Sequence, residues 1–411
     1  MHRNTKVRLI ARRPPGFPRL QQLVHLALFL GLLACSSAVQ NGSQDKHLSE
    51  TPSVRAIWIT RWDYQTESDV RKIVQNCADA GFNNLLFQVR GNATTFFPST
   101  HEPWAEQFNW QDPGFDPLQV AITEAHSRNM ELHAWMNVVP AWWGAELPSD
   151  PNHVVNAHPE WLWYDQAGKR QPASENFYLS LNPCLPEVRT HITSVFREVA
   201  ANYDVDGIHF DYIRFPNEPP AVLAGRDYPR DARTLKLFEL ETHVTPEQNP
   251  EAWNTWRADQ VTGLLRELGQ AIHQESPLVE ISAAVGSEAH RAMEHFQDWE
   301  TWIEEQLVDT LYPMNYTGDD ELFSSRMATW LQHSQNVSVV MGLHANNSTP
   351  ATLLERASSA ETDLQGFAMF GYLYLWESAN QIIDLQNTQR AEERTLLRQE
   401  LLPLPAPESR P

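Results

Sequence analysis

VRAIWITRWDYQ, residues Val54–Gln65, begins as a β-branched, aromatic run and ends in charged and aromatic residues. An open, doubly wound sheet that binds nucleotides would carry a glycine-rich turn after its first strand, and this stretch has none. Outward from it the chain alternates short apolar runs with longer amphipathic patterns. The strand-like runs are 54–60, 84–90, 131–137, 206–212, 279–285, 309–315, 338–343 and 366–374. Helical patterns lie between them, for example 67–81 with Gly81 as a stop, 116–129, 187–203 and 256–274. Strands separated by helices form a parallel sheet, and eight such units close naturally into a (β/α)8 TIM barrel. Two connections are long, after strand 3 (137–186) and after strand 4 (214–250), and long loops in compact domains are usually functional.

Composition bounds what such a barrel does. The 411 residues are 42% hydrophobic and 20% charged, with 15 Trp, which supports a substantial core. The net charge of −21 argues against nucleic acid and favours a neutral or positively charged partner. A basic stretch through Arg19 precedes the apolar run LVHLALFLGLLA (23–34), a targeting segment too short to span a membrane comfortably. It ends in LLACSS, which reads as a lipobox with Cys35 as the lipid anchor; the alternative is ordinary cleavage after Ala38. The expected organisation is a signal peptide (1–35), a linker (36–53), the barrel domain (54–385) and a C-terminal helix with a Pro-rich tail (386–411). The product is an exported protein, membrane-anchored in a bacterial envelope or else periplasmic or secreted. Cys77 and Cys184 remain, and sequence leaves a disulfide between them open. No Cys/His pair has metal-ligand spacing, and no cofactor is expected.

Barrel active sites are built at the C-terminal ends of the strands. In DVDGIHFDYIRFP (204–216) that end carries Asp211, a catalytic group or the ion-pair partner of Arg214. Other strand ends add Arg61, Asp63, Gln88, Arg90, Asn92, His133, Trp135, Asn137, Tyr312, Asn315, Tyr316 and His344. The following loops are rich in aromatics: Trp104, Trp110, Trp142, Trp143, Trp161, Trp163 and Tyr164. Indole faces suit the C–H faces of sugar rings, although about half should pack the long loop into a small core of its own. Carboxylates, amides and Trp together fit glycoside hydrolysis, which needs a proton donor and a second carboxylate. Asp211 is expected as nucleophile or base. Glu288 is the first choice for the acid and Glu377 the second, with Asp319 behind them, although Glu288 and Glu377 also suit helix first turns. Arg90, Asn92, His133, Trp135, Asn137, Trp142, Trp143, Arg214, Tyr312, Asn315 and Tyr316 are expected to bind substrate.

Three segments, QVRGNATTFFPSTHEPW (88–104), GFDPLQVAITEAHSRNMELHAWMN (114–137) and VDGIHFDYIRFP (205–216), resemble the glycosyl hydrolase-like 10 family. The resemblance covers about residues 54–380. It implies a catalytic barrel, an exported or lipid-anchored location and hydrolysis of envelope or extracellular polysaccharide, including peptidoglycan glycan strands stripped of their peptides. Two departures stand out: the family often has adjacent acids where this chain has Asp211-Tyr212, and a Pro near Gly91 that is missing here. DGIHFDY is also similar to the DGxDxDxE strand of family 18 chitinases, but Ile213 stands at the acid position and His209 at the earlier Asp. A non-catalytic glycan-binding lipoprotein is the alternative. A polysaccharide deacetylase would want a metal-binding Asp/His set that the chain lacks.

Overall fold

The computed structural model describes residues 53–215, 226–377 and 388–401. The targeting segment with Cys35, most of the linker, residues 216–225 and the Pro-rich tail lie outside the described residues. Eight parallel strands close into a barrel, each hydrogen-bonded to the next in chain order: β1 (Val54–Ile59), β2 (Asn84–Arg90), β3 (Glu131–Asn137), β6 (Gly207–Asp211), β7 (Glu280–Gly286), β8 (Thr310–Met314), β9 (Ser338–His344) and β10 (Gly366–Phe370). The remaining two strands, β4 (Pro140–Gly144) and β5 (Ser174–Ser180), form an antiparallel pair inside the long connection after β3.

Local chemistry explains where the helices begin. Thr66 and Asp69 form a reciprocal capping box on α1 (Glu67–Asp79). Asp116 caps α2 (Pro117–His126), where Pro117 takes the first-turn position that needs no N–H donor. Within the connection after β3 lies the single turn α3 (Val154–Ala157), and α4 (Pro186–Asn202) follows β5. Between β6 and β7 run α5 (Ala232–Thr242) and α6 (Pro250–Glu275). The latter starts six residues before the expected 256 because Asn249 caps it ahead of Pro250. After β7 come the short α7 (Ala289–Met293) and α8 (Trp299–Glu304), then α9 (Asp320–His333), α10 (Pro350–Asp363) and α11 (Thr388–Glu400). The last strand stops at Phe370 instead of Tyr374; Tyr372–Tyr374 is a 3-10 turn.

Strand side chains alternate between two cores. Ile57, Leu85, Phe87, Leu132, Ile208 and Phe210 face outward into the helical layer, which forms the main core. Ala56, Trp58, Leu86, Trp135, Tyr312, Val340 and Ala368 form a separate cluster inside the barrel. Such interiors are filled in layers, so depth along a strand matters as much as facing. Gly207 keeps its place in that packing because a Cβ would come within 2.4 Å of His133 Nδ1. Cys77 and Cys184 are buried free thiols.

Candidate active site

The last inward-facing residues of the barrel strands surround a cavity of about 470 Å³. Trp58 and Thr60 come from the end of β1, Gln88 from β2, and Trp135 with Asn137 from β3. Asp211 ends β6, and Ala284, Met314, His344 and Phe370 complete the ring. Loop residues raise the walls: Arg61 and Trp62 after β1, Tyr212 and Arg214 after β6, and Tyr316 after β8. The β4–β5 hairpin contributes Trp143 and Tyr178, whose rings meet edge to face at 4.9 Å.

Asp211 is 7% exposed. Its Oδ1 accepts from the backbone N–H of Tyr212 (2.6 Å) and from Arg214 Nη1 (3.3 Å). Burial pushes this carboxyl above the ordinary Asp range, and Arg214 and the Tyr212 N–H only partly oppose the shift. The Trp135 indole also stabilises the anion, although its Nε1 has no hydrogen-bond partner of standard geometry. Tyr212 has φ +50°, a left-handed backbone directly beside the carboxyl, where sparsely populated conformations often mark functional sites. Its ring lies 4.4 Å under the Arg214 guanidinium and 5.0 Å from Tyr178. Across the cavity, Tyr316 stacks on Phe370; burial raises its hydroxyl pKa, and the Asp211 charge raises it further.

One layer below, His209 is fully buried, and burial holds its imidazole far below its usual pKa. A neutral ring fits its contacts: Nε2 accepts from Trp58 Nε1 (3.1 Å), and Nδ1 lies 2.9 Å from Ser282 Oγ. It supports the cavity floor through Trp58.

Of the residues expected to bind substrate, Trp135, Asn137, Trp143, Arg214 and Tyr316 line the cavity with Asp211. The others lie elsewhere. Arg90 is fully buried in an ion pair with Glu102 (2.6 Å), and its Nη1 also donates to Val138 O (3.0 Å). A register shift in β2 after Gln88 separates it from its strand neighbours. Asn92 bridges Arg61 and Glu106 behind the wall. His133 and Tyr312 face inward but deeper, with His133 beside Asn84 (3.1 Å) and Tyr312 packed on Trp58 and His209. Asn315 accepts from Arg326 and donates to Phe323 O. Trp142 donates to Glu146 O (2.6 Å) and stacks on Trp110, in the loop's own core.

Neither proposed acid lines the cavity. Glu288 stands at the N-terminus of α7, where Arg326 and, at 3.4 Å, Arg291 hold its carboxyl below the usual range. That is the opposite of a proton donor's need. Glu377 lines a different cleft, beside Lys72 of α1 and Arg398 of α11. Asp319 caps α9 through the N–H of Leu322 (2.8 Å). Asp211 is therefore the single carboxylate among the described residues lining the cavity. The cavity residues outside the earlier expectation are chiefly aromatic: Trp58, Trp62, Tyr178, Tyr212 and Phe370. For Trp58 and Phe370 the signal was strand alternation carried to the last inward position; nothing local marked Tyr178. Among the described residues no three His, Cys, Asp or Glu side chains converge as a metal ion would require.

A family model described as glycosyl hydrolase-like 10 matches residues 53–347. Glycosyl hydrolase YngK of Bacillus subtilis (strain 168) is 26% identical over 327 residues, covering 71% of this chain and 58% of that protein. Glycosyl hydrolase DigH of Escherichia coli (strain K12) is 26% identical over 264 residues, covering 57% of this chain and 55% of that protein. The chain thus spans little more than half the length of these curated relatives. Among solved structures, the glycoside hydrolase domain of PgaB (BpsB) from Bordetella bronchiseptica matches with a TM-score of 0.58 at 11% identity, over 85% of this chain and 99% of that one. The catalytic domain of β-amylase from Paenibacillus polymyxa matches with a TM-score of 0.57 at 12% identity, over 85% and 98%. At such identities the likeness is one of fold.

Proposed function

The chain belongs to the glycosyl hydrolase-like 10 family, and from that premise we propose that it is a glycoside hydrolase acting on a cell-envelope or extracellular polysaccharide, including peptide-free peptidoglycan glycan strands. The observation that carries the reading is Asp211: a buried carboxyl at a barrel strand's C-terminal end, in an aromatic-walled cavity. Hydrolysis of a glycosidic bond requires a group that protonates the leaving oxygen. Asp211, expected from the sequence as nucleophile or base, fits that acid instead, because burial raises its carboxyl pKa as a proton donor requires. The two-carboxylate scheme adds an opposing group on the other face of the sugar. Trp143, Tyr178 and Tyr212 offer ring faces for sugar C–H surfaces, and Asn137 and Arg214 offer polar contacts. Export through the N-terminal segment, with lipid attachment at Cys35, brings the enzyme to such a substrate. The competing reading, a glycan-binding lipoprotein without turnover, draws on the same cavity with its single described carboxylate.

The test uses protein lacking residues 1–38, incubated with peptide-stripped glycan strands and a panel of soluble polysaccharides, with products read by mass spectrometry. Asp211→Asn and Gln replacements at Glu106, Glu288 and Glu377 run alongside. Shortened oligosaccharides from wild type and none from Asp211→Asn support the assignment, and a second silent variant identifies the opposing carboxylate. Equal cleavage by Asp211→Asn moves the reaction elsewhere. Binding without cleavage across the panel favours the lectin-like reading.

A further inference from the structure

Arg61 differs from the buried arginines Arg90 and Arg257. The Arg90 and Arg257 guanidinium groups lie within 2.7 Å of the carboxylates of Glu102 and Asp227, respectively. Arg61, 1% exposed, has no carboxylate within ion-pair distance among the described residues. Among the described residues its guanidinium is held by neutral groups: Asn92 Oδ1 at 3.0 Å, and Gln88 Oε1 and the Tyr178 hydroxyl each at 3.3 Å. Two of those bonds are at the long end of the normal range, and its Nε has no partner. The plane also stacks on Trp62 at 3.8 Å. Gly91 allows that seat, since a Cβ there would come within 2.5 Å of Arg61 Cδ. A buried guanidinium without an anion carries a desolvation penalty that an anionic ligand would offset.

Arg61 also lines the cavity that holds Asp211. Among the described lining residues, two guanidinium groups, Arg61 and Arg214, stand against the one carboxylate. Asp211 is engaged by Arg214, so no carboxylate among the described residues pairs directly with Arg61. Glu106 feels that charge only from beyond ion-pair distance, and burial pushes its own carboxyl toward the neutral form. Among the described lining residues, a chain of net charge −21 thus keeps an excess of positive charge at this cavity.

Resting on the hydrolase reading above, we propose that Arg61 recognises a carboxylate carried on the substrate sugar, so that this site selects acidic over neutral glycans. A planar fork suits a carboxylate as a two-point contact, and displacing the two long bonds to Gln88 and Tyr178 loses little. The carboxylate comes either from a lactyl ether on an amino sugar or from a uronic acid. The shared chemistry is a carboxylate beside the ring.

The test compares peptide-stripped glycan strands with the same strands after carbodiimide activation and borohydride reduction, which turns each lactyl carboxylate into an alcohol. A glucuronic acid–N-acetylglucosamine polymer and neutral N-acetylglucosamine oligomers form the second pair. Wild-type protein is expected to show a kcat/KM roughly 10- to 100-fold higher for the acidic member of at least one pair. Which pair shows it assigns the lactyl or the uronic source. Arg61→Gln brings that ratio close to one, and Arg61→Lys restores part of it. The same ratio in wild type and Arg61→Gln, whatever happens to absolute rates, assigns Arg61 a purely structural role and overturns the proposal. Equal handling of both members by wild type overturns it without any variant. Calorimetric binding of all four glycans to Asp211→Asn separates the two readings. A carboxylate preference in binding without turnover sinks the hydrolase and keeps the Arg61 assignment, whereas turnover without the preference does the reverse.

Discussion

Asp211 stands between burial, which favours its neutral form, and Arg214, which favours its anion. As a proton donor it works below its raised pKa, so kcat/KM falls on the alkaline side. Arg214→Gln removes the opposing charge and shifts that limb to higher pH, which a profile from about pH 4 to 9 reads directly. Asp211→Asn lowers turnover by roughly 10²- to 10⁴-fold. The same shift has a stability consequence. Between the unfolded and the raised folded pKa the native state binds more protons, so this carboxyl's contribution is complete at acid pH and lost as pH rises. Asp211→Asn is therefore expected to raise Tm by about 1–3 °C near pH 8, with the gain shrinking on acidification. A gain independent of pH would assign the effect to packing. For Glu288 and Glu377, both away from the cavity, Gln replacements are expected to keep turnover within about threefold of wild type, a loss near 0.7 kcal/mol or less.

At the scale of elements, β2 and the loop after it are tied together by a buried charge cluster. Burial pushes the Glu102 carboxyl up, and Arg90 and His191 together reverse this to about 2. Its contribution is present above the unfolded carboxyl pKa and lost as pH falls toward 2. Glu102→Gln strands the Arg90 charge and is expected to cost about 3–5 kcal/mol, measured as a lower denaturant midpoint, with the gap to wild type closing in acid. The hairpin carries a contrast between adjacent residues. Trp142 is buried in the loop's own core, and Trp142→Ala should destabilise by about 3–5 kcal/mol. Trp143 faces the cavity, and Trp143→Ala should raise KM roughly 2- to 10-fold while barely moving the midpoint. Equal effects from both would mean that the hairpin acts as one structural unit.

For the whole molecule the decisive event is closure of the barrel, where β10 returns to β1 with Gly366 opposite Val54. Gly366 has φ +150°, and a Cβ there would lie 1.9 Å from Val54 O. Gly366→Ala blocks that seam and is expected to cost about 3 kcal/mol or more, seen as a lowered or broadened thermal transition. Closure also explains how one carboxyl and two guanidinium groups come to share a cavity although Arg61 and Arg214 are far apart in the chain. Each leaves its strand at the same end, and parallel strands all present that end to one face.

The eight-unit alternation and the placement of Asp211 at a strand's C-terminal end were legible in the sequence, because they rest on local periodicity. Periodicity assigns a face but not a depth. His133, Trp135 and Asn137 share one face of β3, yet only the last two reach the cavity, because the stagger between neighbouring strands sets the depth. The partners that removed Arg90 and Glu288 from the site, Glu102 and Arg326, come from other segments, and sequence spacing carries no sign of them. Strand alternation by itself fixed the barrel and one carboxyl. Only the closed tertiary structure, by setting register and bringing distant charges together, decided which side chains share the cavity and that Arg61 stands there without an ion-pair partner among the described residues.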